Sequence, residues 1–393
     1  MKYLLFIHSL AAVLISAPAL AQDAENSASN WLEVIQIIGT RDEARNIAGS
    51  GALIDGNQIH IEAATDINQL MKTIPGTYVR EEDGLGLRPN IGIRAASSER
   101  SGKVTLMEDG VMVAPAPYSN PAAYYFPTTM RMSSVEVLKG APLLRYGPQT
   151  TGGVINLIST PIPETNSGNI MATIGEHGSQ DLHANYGSRS GNFGWLVETV
   201  QRNSDGFKHI DRSNRDAGLD LEDYLVKLAW EGEHQQLLFK AQRSEEVSNE
   251  TYLGLTDADF NQNPNRRYGL SSIDQMNNEH DGYSLTYNLM LDESTTLTAM
   301  AYHNEFSRDW FKLGGGSAII DAANAGDSNA QAILDGSADT SGLGYKHSNR
   351  SYESSGVELN LTTAIGTHQL EVGGRIHEDE MDRFQPVETD ASG

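Results

Sequence analysis

The sequence predicts an α+β domain followed by antiparallel strands of a transmembrane β-barrel, and three observations carry that reading. From residue 164 onward, segments of about ten residues alternate an apolar face with a polar one, the period-two signature of barrel strands. Their connections alternate short turns with long polar segments, the asymmetry of barrels whose two ends face different compartments. Ahead of them, residues 50–163 mix a capped helix, short strands and a tight hairpin, as a compact α+β domain does.

The bulk properties narrow the classes. The 393-residue chain carries 28 Lys+Arg against 52 Asp+Glu, a formal charge of −24, which argues against a partner held through phosphates and hence against nucleic acid. It has no cysteine, which excludes a disulfide scaffold, Cys-ligated zinc, iron–sulfur clusters and thiol catalysis. A mean hydropathy of −0.40 is too polar for a helical membrane protein. The long apolar run lies at the N-terminus, after Lys2 and before Ala17-Pro18-Ala19-Leu20-Ala21. Positive residue, short apolar core and A-x-A site read as a signal peptide over residues 1–21, with the mature chain starting at Gln22. As an anchor the run is short of the ~20 residues a spanning helix needs.

Residues 22–49 read as a periplasmic leader. Its first part is small and polar, without period. Glu33, Val34, Ile35, Gln36 and Ile37 then open a β-branched stretch that favours extended chain. Such a segment suits addition to another protein's sheet edge, or serves as the first strand of the next domain. In the α+β domain, Thr65 or Asp66 caps a helix through Ile67, Leu70 and Met71 that ends at Pro75-Gly76. Val104, Leu106 and Val111, Val113 flank Asp109-Gly110, the sequence of a tight hairpin. Strands are expected at 134–138 and 154–158, and Pro161 and Pro163 mark the boundary.

Residues 164–393 supply about nine strands, near 168–175, 180–188, 193–203, 223–231, 236–244, 281–291, 295–306, 350–363 and 367–377. The clearest sets Tyr283, Leu285, Tyr287, Leu289 and Leu291 against Ser284, Thr286 and Asn288. Tyr224, Val226, Leu228 and Trp230 repeat the pattern, with aromatics where a membrane interface would lie. Short turns such as Asp292-Glu293-Ser294 sit opposite long segments at 204–222, 245–280 and 307–349. A soluble sandwich would show the same alternation with its apolar face buried, but long polar insertions are less expected there.

Local motifs for other chemistry are incomplete. Asp257, Asp259, Asn261 and Asn263 alternate as in a calcium loop, yet Gln262 and Tyr268 stand where its glycine and glutamate belong. His377-Glu378-Asp379-Glu380 reads as a solvated charged run, and no G-x-S-x-G elbow occurs. The chain is therefore expected not to be an enzyme and to hold no covalent cofactor.

Five motifs resemble one family in its own order. They are Asn68-Gln69-Leu70-Met71-Lys72-Thr73-Ile74-Pro75-Gly76, Ile91-Gly92-Ile93-Arg94, Leu106-Met107-Glu108-Asp109-Gly110-Val111, Val135-Glu136-Val137-Leu138-Lys139-Gly140, and Arg145-Tyr146-Gly147 with Gly152-Gly153-Val154-Ile155-Asn156-Leu157-Ile158. The chain resembles the TonB-dependent outer-membrane receptors. The resemblance implies that residues 50–163 are a plug inside a barrel of about 22 strands, in the outer membrane of a Gram-negative bacterium. It implies that Glu33, Val34, Ile35, Gln36 and Ile37 are the TonB box, with TonB and outer-membrane lipid as partners. Residues 164–393 are then the N-terminal part of the barrel, in a chain that reads as truncated, since nine strands would leave open edges in lipid.

Within the family the likeness is to the ferric citrate transporters, through Ala114-Pro115-Ala116-Pro117-Tyr118, Leu143-Leu144-Arg145-Tyr146-Gly147-Pro148-Gln149 and Thr251-Tyr252-Leu253-Gly254-Leu255 with Arg266-Arg267-Tyr268. It implies a ferric chelate, citrate or a similar carboxylate siderophore, as transported ligand. Guanidinium forks match carboxylates, so Arg100 and Ser101 on an apical plug loop and Arg266, Arg267 and Arg308 in external loops are the candidate contacts. Arg94 and Arg145 read as internal ion-pair partners. Two departures from the family are Arg94-Ala95 in place of its arginine-glycine, and a leader too short for a periplasmic signalling domain.

Overall fold

The computed structural model describes residues 37, 38, 44, 47, 49–340 and 343–388. The signal peptide and residues 33–36 of the expected box lie outside the described residues.

The α+β domain opens with β1 (Ser50–Asp55), which runs into α1 (Gly56–Glu62) with Asp55 as N-cap, accepting from the Gln58 N–H. For α2 (Ile67–Met71) the cap is Asp66, which accepts from the Asn68 N–H. The pair β2 (Thr77–Arg80) and β3 (Asn90–Ile93) follows. Strands β4 (Val104–Glu108) and β5 (Val111–Met112) are joined by Asp109 and Gly110, both at positive φ, 51° and 79°. That is the type I′ geometry such a dipeptide favours. With β6 (Met132–Lys139) and β7 (Gly153–Ser159) the sheet runs β1-β6-β7-β4-β5, β4 and β7 being parallel. Val135, Val137, Ile155 and Leu157 pack on Ile67, Leu70 and Met71 of α2, and the same core takes in Phe306 and Tyr352 from the strands that follow.

After β3 the chain turns through Arg94 and Ala95 at φ 51° and 64°. The left-handed region costs a non-glycine residue roughly 1–2 kcal/mol, which is a physical reason for the glycine that the resembled family has there. Ala95 is exposed, so no packing is lost by removing its methyl. Ala95→Gly is expected to stabilise by up to ~1 kcal/mol, part of the gain being offset by the looser unfolded chain; thermal melting of the two proteins in detergent checks it.

The wall begins with β8 (Ser167–Ile174), β9 (Gln180–Ser190) and β10 (Phe193–Ser204). A two-residue strand β11 (His209–Ile210) lies in the next loop, before β12 (Leu219–Glu231) and β13 (Gln235–Ser248). The loop after β13 holds α3 (Asp257–Gln262) and β14 (Arg266–Arg267), which pairs with β11. Strands β15 (Gln275–Asp292) and β16 (Thr295–Leu313) follow, then a loop carrying α4 (Gly316–Asn324), α5 (Ser328–Asp335) and β17 (Tyr345–His347). Last come β18 (Asn349–Ile365), β19 (His368–Phe384) and the short β20 (Val387–Glu388). The nine long strands form one antiparallel path, β19-β18-β16-β15-β13-β12-β10-β9-β8, as their alternation predicts.

Tyr224, Val226, Leu228 and Trp230 are 38–42% exposed, whereas Leu225 and Ala229 between them are almost fully buried. The apolar face therefore points away from the protein, as a lipid-facing wall requires and a sandwich does not allow. The strands run further toward the long loops than alternation alone indicates, β15 reaching 18 residues and β16 19. The outward positions in those extensions are polar, among them Glu279, Ser307 and Asp309, so apolar alternation fades where the strand stands beyond the bilayer. A span needs only about 9–11 residues. The loops pack on a small core of Leu253, Tyr268, Leu313, Leu334 and Tyr345.

Candidate functional site

The plug meets the inner face of the wall through a buried ionic cluster. Arg131 pairs with Glu108, and with Asp223 of β12 at 3.0 Å. Lys240 of β13 donates to Glu108 and to Asp109, each at 2.6 Å. Burial alone would raise the Glu108 carboxyl, but Arg131 and Lys240 beside it hold it down at about 2. Asp109 is likewise held well below the carboxylate range against its burial, by Lys240 and Lys227. The hairpin turn is thereby a docking point as well as a local fold signal.

Higher up, the apical plug loop is built around Asp83, which accepts from the N–H groups of Leu85, Leu87 and Arg88. Arg88 is 2% exposed and reaches Glu246 of β13 and Glu250 in the loop just after it, each at 2.5 Å. Arg100 pairs with Glu82 at 2.5 Å and lies 5.1 Å from the Tyr124 ring centre. Ser101 is fully buried; its hydroxyl donates to the Pro89 carbonyl and accepts from the Ile91 N–H, pinning the loop to β3. A cavity of about 110 Å³ lies between this loop and the external ones, lined by Glu82, Arg88, Lys208, Glu250 and Tyr252 among others.

The alternation of β16 turns Phe306, Arg308, Trp310 and Lys312 inward. Arg308 is 3% exposed, its guanidinium 3.7 Å from the Tyr124 ring centre, and its Nε and Nη1 have no hydrogen-bond partner. The Lys312 ammonium sits between Trp310 and Tyr252, 3.1 and 3.3 Å from their ring centres. Register does the rest: Arg308 stands opposite Arg350 of β18, and Arg350 opposite Arg383 of β19. Like charges directly opposite each other destabilise a sheet. Among the described residues no carboxylate pairs with Arg308, Lys312, Arg350 or Arg383, although the chain has 52 acids.

Arg308 and Arg100 thus meet over one ring, while the other two expected arginines are engaged elsewhere. Arg266 binds Asp211 at 3.0 Å, Asp259 at 2.7 Å and Asp335 at 3.1 Å, stapling three loops together. Arg267 donates to Thr251 Oγ1 and to the carbonyls of Pro264 and Arg266. Arg145 pairs with Glu371, but Arg94 is exposed and makes no ion pair among the described residues, because its αL backbone turns it out of the sheet. Asp257 and Asp259 belong to α3, and among the described residues no acidic or histidine cluster is arranged for a metal ion. Lys312, Arg350, Arg383, Tyr124 and Trp310 escaped the sequence reading, since nothing local marks them.

At the base of the loops Asp274 is 1% exposed and accepts from the Tyr252 N–H at 2.9 Å. Burial pushes its carboxyl up to about 7 from the ordinary 3.8. A proton held more tightly in the folded loop gives stability that is complete below the ordinary value and is lost as pH rises through 7. The external loops are therefore expected to become more protease-sensitive from pH 5 to pH 8, relative to Asp274→Asn measured at each pH, which removes the titration.

A plug-like α+β domain is docked on the inner face of one curved antiparallel wall. Residues 43–154 match the family TonB-dependent Receptor Plug Domain. The fold is similar to the crystal structure of the ferric citrate transporter FecA in the unliganded form, with TM-score 0.73, 19% identity, and 91% of this chain and 51% of that one covered. It is also similar to the ferric yersiniabactin uptake receptor FyuA from Yersinia pestis, with TM-score 0.71, 16% identity, and 88% and 51% covered. The Vitamin B12 transporter BtuB of Photobacterium profundum is 23% identical over 208 residues, 53% of this chain and 33% of that protein. The chain spans about half the length of the solved receptors it matches, and the match covers a third of the curated relative. The chain carries the plug domain and the fold of the TonB-dependent outer-membrane receptors, as its motifs implied.

Proposed function

We propose that the chain is part of an outer-membrane importer of an anionic ferric chelate, ferric citrate or a similar carboxylate siderophore, driven by TonB. The observation that carries this reading is the row Arg308, Arg350 and Arg383 with Lys312, cations without carboxylate partners among the described residues, above the plug. Arg100 reaches the same ring from the plug, while Ser101, Arg266 and Arg267 shape the loops around the bound chelate. Binding there would load the plug from above. Glu33 to Ile37 would offer TonB a strand from below, and pulling on it would rearrange the plug. Ile35→Pro is expected to abolish energised uptake and leave binding intact, since proline removes a backbone donor that strand addition uses. Radiolabelled ferric citrate uptake beside equilibrium binding checks it; a passive pore would be indifferent to the change.

A second reading rests on the relatives named Vitamin B12 transporters. The same transporter class with a corrinoid as cargo would leave the arginine row without a matching cluster of carboxylates. Titration with ferric citrate and with cyanocobalamin separates the two.

A further inference from the structure

The cations of the row above the plug differ in kind. Arg308, Arg350 and Arg383 carry guanidinium groups, which stay charged in proteins. Lys312 is the member of the row that can lose its charge, and its surroundings decide where it does so. It is 5% exposed, and its ammonium sits 3.1 and 3.3 Å from the ring centres of Trp310 and Tyr252. Register sets Lys346 of β17 directly opposite it, and Arg308 stands two inward positions away on the same face of β16.

The charged groups set against Lys312 come from three elements. Arg308 of β16 and Lys346 of β17 disfavour a proton on it, whereas Glu250 and Asp274, in the loop after β13, favour one. Both acids are already engaged: Glu250 pairs with Arg88 at 2.5 Å, and Asp274 accepts from the Tyr252 N–H at 2.9 Å. Burial is the largest influence and, with Lys346 adding to it, brings the ammonium down from 10.5 to about 7. The two rings act the other way, because an aromatic face attracts an ammonium through its quadrupole and holds a neutral amine far less. At this end of β16 the outward residues Ser307 and Asp309 are polar, so Lys312 stands clear of the bilayer. Asp274 loses its own proton at about 7, and both losses make the place less positive as pH rises.

We propose that Lys312 sets the pH range in which the row captures its anion: as an ammonium it adds a charge to the three guanidinium groups, and as a neutral amine between two rings it leaves them alone. This regulation rests on the row being the cargo site, as proposed above. An anion set against Lys312 favours its charged form. Capture therefore takes up a proton wherever the free amine is neutral, and affinity falls as pH rises past that point. An arginine at position 312 would supply the charge without the dependence.

The test uses the receptor in detergent, wild type beside Lys312→Arg and Lys312→Met, long side chains with a permanent charge and with none. Without cargo, tryptophan fluorescence is followed from pH 6 to pH 9.5. Trp195 and Trp230 lie on the outward face of the wall, and Trp310→Phe identifies the signal of Trp310. Wild type is expected to show a one-proton transition that both Lys312 variants lack. Ferric citrate binding is then measured over the same range, and wild-type affinity is divided by that of Lys312→Arg at each pH, which cancels protonation of the chelate itself. The ratio is expected to fall about tenfold across the transition, the worth of one hydrogen bond to a charged group. Lys312→Met should bind more weakly than wild type at pH 6 and match it at pH 9.5. No transition in wild type, a transition that persists in Lys312→Arg, or a flat ratio overturns the proposal. A transition of Lys312 with no binding of ferric citrate at any pH upholds the titrating group and overturns citrate as cargo.

Discussion

Replacing Arg308, Arg350 and Lys312 together by alanine is expected to weaken ferric citrate binding by roughly 2–5 kcal/mol, the range for desolvated charge contacts. The direction follows from what these groups lack. A guanidinium buried to 3% exposure with Nε and Nη1 unpartnered carries a desolvation cost that an incoming carboxylate would offset. Arg308 and Arg350 also face one another across β16 and β18, so their removal relieves a repulsion. Alanine also removes the ring contacts of Arg308 and Lys312, so the volume-retaining variant with methionine at 308, 350 and 312 is the one expected to melt no lower than wild type while losing binding, which separates a ligand-binding role from a structural one. Lysine at 308 and 350 should restore binding only in part, because a point charge does not reproduce the bidentate fork. Isothermal titration with ferric citrate and a melting curve in detergent decide it; full binding by the alanine variant removes citrate as cargo. Arg266→Ala should behave differently. It leaves Asp211, Asp259 and Asp335 from three loops without their shared cation, so loop order should fall first and binding as a consequence.

Lys240→Met is expected to destabilise the seating of the plug by roughly 3–5 kcal/mol, the cost of removing one partner from a buried ion pair. Lys240 ties both Glu108 and Asp109 to the wall at 2.6 Å each, and methionine retains its volume while leaving two carboxylates short of a cation. The pH dependence has a definite sign. Because Glu108 is held down at about 2 from an ordinary 4.5, its contribution is complete above 4.5 and is lost as pH falls toward 2. With Lys240 gone that carboxyl would titrate higher, so acid unseating should begin at a higher pH than in wild type. Plug protection by hydrogen exchange between pH 3 and pH 7 measures both effects, and coincident curves for the two proteins would show that the pair carries no load. Any movement of the plug relative to the wall must part Asp109 from Lys240 or carry the turn along the wall.

Local interactions govern the parts of this protein that could be read without coordinates. Asp66 caps α2 because a side chain two residues from a free N–H satisfies it wherever the rest of the chain goes. Asp109-Gly110 makes its turn because both residues tolerate positive φ. Nine wall strands were legible because a period of two survives in any window, and the apolar sides of those strands name the lipid face. Distance along the chain hides the rest. The arginine row exists only through register, across a long loop between β16 and β18 and about fifteen residues up the hairpin of β18 and β19, so Arg308 was nameable as a lone cation but Arg350 and Arg383 were not. Arg266 reads in isolation as a ligand contact, and only the meeting of three loops makes it a staple. Glu136 reads as one polar residue in a buried strand; its hydrogen bond from the Ile37 N–H, 99 residues away, arises because burial leaves a carboxylate no water to bind and the folded chain brings it backbone donors instead.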